Sequence, residues 1–140
     1  MITSITKYRV TYADTDPMGV MYYGNYAKLY EIGRTEMIRE FGYTYREIEE
    51  SGTTMPVASV NTKYLRPIKY DELISIETSL KELPTARMVF HHKIFNENGD
   101  LSNTSEVTLV FLDSKSNRPC RPPERLLELL REEGLIESLR

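Results

Sequence analysis

The chain has 140 residues, 40% of them hydrophobic and 28% charged, which is ordinary for one globular domain. Its 18 Lys and Arg against 21 Asp and Glu give a net charge of −3, and no basic run supports a nucleic-acid partner. No apolar stretch suits a membrane span, and residues 1–7 lack the apolar core and cleavage site of a signal peptide. The single cysteine excludes an internal disulfide framework, so we expect residues 1–140 to form one cytoplasmic domain.

The first predicted element is a strand. Residues 5–12 alternate in polarity, with Tyr8, Val10 and Tyr12 on one face, as in a half-buried strand. Residues 14–19 combine two aspartates with Thr, Pro, Met and Gly, and such a cluster of turn formers ends a strand.

Two helices are predicted next. Apolar residues at helical spacing indicate a long helix over residues 25–41, with Asn25 as its N-cap and Gly42 as its terminator. Gly33 costs about 1 kcal/mol relative to Ala inside a helix, which favours close packing of another element against it. A shorter helix covers residues 45–50.

In the second half of the chain, apolar and polar residues alternate with the two-residue period of strands. Strands are predicted over residues 57–65, 73–83, 87–96 and 105–113. Three of them carry a continuous inward face, formed by Ile74, Ile76, Thr78 and Leu80, by Met88, Phe90, His92 and Ile94, and by Val107, Leu109 and Phe111. The Asn and Gly residues of 96–100 favour a hairpin turn. A last amphipathic helix is predicted over residues 124–135.

These elements together predict an α+β domain. Consecutive strands joined by short turns form an antiparallel sheet of about five strands. One long helix is present to cover that sheet, so the sheet should wrap around it in two layers, with an extra helix at the C-terminus.

The sequence lacks the common hydrolase motifs. No nucleophile elbow, zinc-binding His pair, P-loop or dinucleotide-binding loop is found. His91 and His92 are adjacent on a predicted strand, so their side chains point to opposite faces and cannot cooperate. Cys120 lies between prolines with no group nearby to activate it, and an incidental thiol is the better interpretation.

A specific resemblance begins after the first strand. The run is Tyr12-Ala13-Asp14-Thr15-Asp16-Pro17-Met18-Gly19-Val20-Met21-Tyr22-Tyr23-Gly24-Asn25-Tyr26, and it leads into the helix motif Tyr30-Glu31-Ile32-Gly33-Arg34-Thr35-Glu36. With the following strand, this pattern resembles the hotdog-fold thioesterases of the 4-hydroxybenzoyl-CoA thioesterase type. The likeness covers about residues 8–112. It implies a hotdog fold and hydrolysis of an acyl-CoA thioester.

The resemblance also assigns roles within this run. Asp16 matches the catalytic carboxylate, acting as nucleophile or as general base on water. Tyr23 matches the position whose backbone N–H polarises the thioester carbonyl at the start of the helix. Asp14 matches a first aspartate of structural importance. From local sequence alone, both aspartates could equally be turn and capping residues.

The resemblance extends to substrate and partners. Candidate substrate-binding residues are Ser59, Val60, Asn61 and Thr62 on the second strand, and Arg87 near the nucleotide. The turn before Arg87 lacks the basic cluster of the 4-hydroxybenzoyl type, which leaves an acyl-carrier-protein thioester open as the substrate. Active sites at a dimer interface are implied, with tetramers as a further stage. No metal or other cofactor is implied.

Several alternatives remain open at this point. Glu31 or Glu36 could be catalytic, as in another branch of hotdog thioesterases, although a solvated or ion-paired helix face is favoured. His92 is better explained as a hydrogen-bonded core residue. A non-catalytic acyl-thioester binding module is the first rival function, and a hydratase, which would use an Asp and His pair, is the second.

Overall fold

Residues 1–137 are described by a computed structural model of the chain. The helices are α1 (Tyr26–Glu40), α2 (Tyr45–Glu50) and α3 (Glu124–Glu132). The strands are β1 (Ile2–Arg9), β2 (Thr53–Thr54), β3 (Val57–Tyr64), β4 (Leu73–Leu80), β5 (Arg87–Phe95), β6 (Leu101–Val110) and β7 (Leu112–Asp113).

Five strands form one antiparallel sheet in the order β1-β4-β5-β6-β3. β4, β5 and β6 follow each other along the chain and in space, as the hairpin turns predict, while β1 and β3 are added at opposite edges. The predicted inward faces are confirmed, because their members on β4, β5 and β6 are buried. This is the α+β hotdog arrangement that the resemblance implies.

The long helix α1 packs across β1, β4 and β5. Gly33 sits at the closest approach, where an added Cβ would meet Thr78 Oγ1 and would lie 2.9 Å from Ile76 Cγ2. The predicted close packing at Gly33 is therefore confirmed. The helix ends before Gly42, whose φ of +83° suits a glycine terminator.

Several predicted boundaries were wrong. β1 ends at Arg9, and residues 12–14 form a 3₁₀ turn that leaves Tyr12 76% exposed. β6 begins at Leu101, earlier than predicted, because the 96–100 turn leads directly into it. Residues 112–113 leave the main sheet and pair with β2, and α3 stops at Glu132.

The two edges of the sheet differ in character. β3 is exposed along its whole length except at Thr62, and its large apolar side chains Val57, Val60 and Tyr64 are 47%, 48% and 56% exposed. β1 at the opposite edge exposes one comparable apolar residue, Ile5. Among the described residues no helix is long and apolar enough to cross a bilayer.

Candidate active site

The loop between β1 and α1 is fastened to the segment that follows β3. The Met21 N–H donates to the Ile68 carbonyl over 2.7 Å, and the Tyr70 N–H donates to the Gly19 carbonyl over 3.0 Å. Gly19 has a φ of +79°, a backbone conformation that glycine adopts without strain. These two bonds flank the bridge between Val20 and Lys69, so the loop is fastened to residues 68–70 and positions its side chains on a fixed backbone.

Asp14 is the buried anchor of this loop. Its side chain is 2% exposed and accepts hydrogen bonds from the Tyr8 hydroxyl, from the Thr11 N–H and hydroxyl, and from Lys28 Nζ at 3.0 Å. Burial alone would raise the pKa of this carboxyl group, but the donors together lower it to about 2. The structural role expected of Asp14 agrees with these contacts.

Asp16 lies two residues further on and is half-buried. Its Oδ1 accepts hydrogen bonds from the Met18 N–H at 2.9 Å and from the Val20 N–H at 3.4 Å. Its own N–H donates to the Val20 carbonyl over 2.9 Å. These contacts fix the carboxylate on the loop by one oxygen, so the second oxygen, Oδ2, can act on another group.

The chain returns from this loop to the start of α1 through a second 3₁₀ turn, Tyr23–Asn25. The Tyr22 N–H donates to the Asp14 carbonyl over 2.8 Å, and the Asn25 side-chain amide donates to the same carbonyl over 2.9 Å. Asn25 stands at the N-cap position of α1, as predicted, but its side chain makes no capping hydrogen bond and instead ties the helix start to the loop. Within residues 1–137 the Tyr23 N–H has no hydrogen-bond acceptor. As the first residue of this 3₁₀ turn, Tyr23 presents its N–H outside the turn's own hydrogen bonds, at the helix end of the loop.

The remaining predicted site residues lie elsewhere on the chain. Ser59, Val60 and Asn61 are exposed on β3, and the Thr62 hydroxyl shares a 3.0 Å hydrogen bond with Ser105. No hydrogen bond between described residues links these four side chains to Asp16. Arg87, exposed at the start of β5, lines a groove of about 720 Å³ together with Lys81.

A larger groove of about 1060 Å³ runs beside α1, and the sequence did not predict it. It begins at Ala27 and Lys28 near the helix start and continues past Glu31 and Arg34 to α2. Arg34 is only 6% exposed, and its Nε has no hydrogen-bond partner among the described residues. A buried, uncompensated charge of this kind costs several kcal/mol. The available signal was Arg34 lying among positions that share the buried side of the helix.

Glu31, Glu36 and His92, which the sequence analysis considered as alternative catalytic residues, have the following surroundings. Glu31 is exposed, whereas Glu36 forms a 2.6 Å ion pair with Arg39, so the expected ion pairing is confirmed for Glu36. His92 is buried, and its Nδ1 shares a 3.1 Å hydrogen bond with Thr78. Burial, reinforced by the Arg34 charge, lowers the pKa of His92 to about 3, which keeps the ring neutral. No cluster of three metal-ligating side chains occurs in residues 1–137.

Known proteins are similar to this chain in sequence and in fold. Residues 10–130 match the family described as the thioesterase-like superfamily. The chain is 32% identical over 119 residues to Bacillus subtilis YneP, provisionally named an acyl-CoA thioesterase, with 85% of this chain and 86% of YneP covered. It is 29% identical over 119 residues to the acyl-CoA thioester hydrolase YbgC of Escherichia coli, with 85% and 89% covered. The DHNA-CoA thioesterase structure from Staphylococcus aureus superposes with a TM-score of 0.83 at 32% identity, over 99% of this chain and 100% of that one.

Proposed function

Because the chain belongs to the thioesterase-like superfamily, we propose that it hydrolyses acyl-CoA thioesters to a free carboxylic acid and CoA, with Asp16 as the catalytic carboxylate. The observation that carries this proposal is the loop geometry. Asp16 is held by Oδ1 at one end of the loop, and the Tyr23 N–H stands without a described acceptor at the other. YneP and YbgC, matched over 85% of the chain, carry names for this activity.

The two groups suit the two demands of thioester hydrolysis. Water must lose a proton as its oxygen bonds to the carbonyl carbon, and the carbonyl oxygen must gain negative charge. Asp16 Oδ2 takes that proton, and the Tyr23 N–H donates to the developing oxyanion. When the intermediate collapses, the C–S bond breaks, and CoA leaves as a thiolate that takes up a proton.

A nucleophilic route uses the same groups. Asp16 then attacks the carbonyl carbon itself, expels the CoA thiolate and forms an acyl anhydride, which water hydrolyses in a second step. The loop geometry supports both routes, since each needs one free carboxylate oxygen and one donor for the oxyanion. Both routes require Asp16 to be ionised, as the base in the first and as the nucleophile in the second.

The rest of the substrate needs contacts beyond the loop. CoA carries phosphates that favour cationic side chains, and Arg87 and Lys81 line one groove, together with the carboxylates of Glu82, Glu106 and Glu137. We assign the nucleotide to that groove and the pantetheine arm to Ser59, Val60, Asn61 and Thr62 of a second protomer. An acyl-carrier-protein thioester would present the same arm and thioester. A cytoplasmic location, where acyl-CoA is formed and used, belongs to this proposal.

A panel of acyl-CoAs tests the proposed activity directly. Native protein is incubated with short-chain, long-chain and aromatic acyl-CoAs, and free thiol is followed with a chromogenic disulfide. Catalytic release of thiol from at least one member is the expected result. If every member binds tightly and none is hydrolysed, the protein is the non-catalytic binding module instead.

Glu31→Gln tests whether the helix carries a catalytic carboxylate. Glu31 is exposed, so its charge is solvated and the substitution should change kcat by less than about tenfold, or about 1.4 kcal/mol in barrier. The measurement is steady-state thiol release on the acyl-CoA that native protein hydrolyses best. A loss of several hundredfold with an unchanged circular dichroism spectrum would move the catalytic carboxylate to α1.

Self-association follows from the unpaired edge of the sheet. β3 presents free backbone groups together with exposed Val57, Val60 and Tyr64, a combination that favours pairing with another strand. We therefore propose that β3 meets the same strand of a second protomer around a two-fold axis. Substrate-binding residues on β3 would then face Asp16 of the partner subunit.

Sedimentation at micromolar concentration tests this assembly. Native protein should sediment as a dimer or larger species of the 16.3 kDa chain. Val60→Lys places a charge on the proposed contact and should shift the protein toward monomer with a loss of thiol release. Ile5→Lys, at an apolar position that is also exposed but lies on the opposite edge, is the matched control and should sediment like native protein. A native monomer that is folded and active would contradict the proposal.

A further inference from the structure

Arg34 is a buried cation for which the described chain supplies no anion. No acidic side chain of residues 1–137 forms an ion pair with it, and the five ion pairs found there involve other cations. Its guanidinium carbon lies 5.9 Å from the centre of the Phe90 ring, which holds the group in place. Buried arginines are normally paired with a carboxylate or phosphate. The natural inference is that an anion reaches Arg34 from outside the chain.

Tyr45 and His92, two polar neighbours of Arg34, do not supply the missing charge. The hydroxyl of Tyr45 is buried and also lacks a partner in residues 1–137. Burial raises the pKa of Tyr45. Arg34 offsets this only in part and the Glu31 charge adds to it, so the hydroxyl stays neutral and available as a donor. His92 is neutral as well, because burial and Arg34 lower its pKa to about 3. Arg34 and the Tyr45 hydroxyl thus lie together beside this groove. The carboxylates of Glu31, Glu47 and Glu49 also line it, but none of them forms an ion pair with Arg34.

The groove connects these two groups to the proposed catalytic end of α1. It is lined by Ala27 and Lys28 at the helix start and by Arg34 and Tyr45 deeper in. Arg34 follows the first helical residue, Tyr26, by eight residues, or about 12 Å of helix, and helical side chains lean back toward the N-terminus. The guanidinium is therefore on the order of 6–10 Å along the axis from the helix start. That separation suits the length of a medium acyl group.

We propose that this groove receives the acyl group of the substrate, and that Arg34 and Tyr45 select acyl thioesters with a second, acidic oxygen group at their far end. The inference rests on the proposed function, since it names the substrate class of the same site. Arg34 pairs with the carboxylate of such an acyl group, and the Tyr45 hydroxyl donates to its other oxygen. Glu31 at the exposed side of the groove is solvated and leaves Arg34 without an internal partner.

A matched pair of substrates tests the selection. Suberoyl-CoA and octanoyl-CoA both have eight-carbon acyl chains, and only the first ends in a carboxylate. Native protein should hydrolyse suberoyl-CoA with a kcat/KM at least about tenfold higher, because a site built around a buried charge strongly rejects a ligand that leaves it unpaired. Hydrolysis of both at equal rates, or preference for octanoyl-CoA, would overturn the selection and leave the proposed function intact. Hydrolysis of neither these nor any other acyl-CoA would count against the proposed function itself.

Variants assign the selection to Arg34. In Arg34→Met, which keeps side-chain length without charge, the suberoyl-to-octanoyl ratio should fall at least about tenfold, and Arg34→Lys should restore part of it. Arg39→Met is the control, because Arg39 lines the same groove but is already paired with Glu36, and the ratio should persist. Free suberate should raise the Tm of native protein and not that of Arg34→Met, which provides a readout without turnover. If Arg34→Met keeps the native ratio but dissociates the dimer, the missing anion belongs to the partner subunit and the proposal fails.

Discussion

Asp14→Asn should lower the free energy of unfolding by about 2 kcal/mol at pH 7, because the pKa of Asp14 falls from 3.8 to about 2 on folding. The carboxylate accepts from Tyr8, Thr11 and Lys28, and an Asn amide would turn its NH₂ group toward one of these donors. For a domain of this size the loss corresponds to a decrease in Tm of roughly 5–8 °C.

The pH dependence of this loss follows from the direction of the shift. A folded-state pKa below the unfolded value gives stability that is present above about pH 4 and disappears as the pH falls toward 2. Urea unfolding of native protein and Asp14→Asn at a series of pH values measures it. The difference between the two proteins should be constant near neutrality and shrink between about pH 4 and 2. A difference that persists unchanged at the acid end would show that Asp14 does not act through its charge.

Asp16→Asn should reduce thioester hydrolysis at least about a hundredfold, since general base catalysis alone contributes 10²–10⁴. Asn is nearly isosteric with Asp, and its amide oxygen can still accept from the Met18 and Val20 N–H groups. The loop should therefore keep its shape while the negative charge that activates water, or attacks the carbonyl, is lost.

The stability of the protein, unlike its activity, should change little when Asp16 is replaced by Asn. Asp16 is half-buried and its hydrogen bonds come from two backbone N–H groups that Asn also satisfies, so the Tm of Asp16→Asn should remain close to that of native protein. The two loop aspartates thus have separable roles. Asp14 holds the loop in place, and Asp16 performs the proposed chemistry.

The spacing of apolar residues and the residue types in the turns were sufficient to predict much of the fold. The alternation of Ile74, Ile76 and Thr78 fixes which face of β4 is buried, and the glycine inside the helix pattern correctly indicated a close approach at Gly33. These features are local consequences of side-chain periodicity, which any single sequence displays.

Contacts made over long sequence distances were not predictable in this way. Residues 12–14 leave the strand pattern because Asp14 finds its partners in Tyr8 and Lys28, and the Lys28 side chain comes from the next helix. The Asn25 side chain bonds the Asp14 carbonyl rather than its own helix for the same reason. Tertiary hydrogen bonds here override local propensity.

The candidate site, like the fold, was predictable from the sequence only in part. The loop sequence drew attention to Asp16 and Tyr23 through resemblance to a family, and their catalytic roles stay a prediction. Arg34 was part of the quoted helix motif but received no role. Its place on the buried side of the helix pattern indicates burial, but the sequence does not show that no carboxylate pairs with the buried guanidinium. Only the packing of α1 against β5 and α2 exposes that imbalance.

The most direct test of the central claim compares native protein, Asp16→Asn and Asp14→Asn on the acyl-CoA that native protein hydrolyses best. Thiol release and Tm are measured on the same preparations, at a temperature well below every Tm. Asp16→Asn should lose at least about a hundredfold in kcat with little change in Tm, while Asp14→Asn loses stability and far less activity. Near-native turnover by folded Asp16→Asn would contradict the assignment of Asp16 as the catalytic carboxylate.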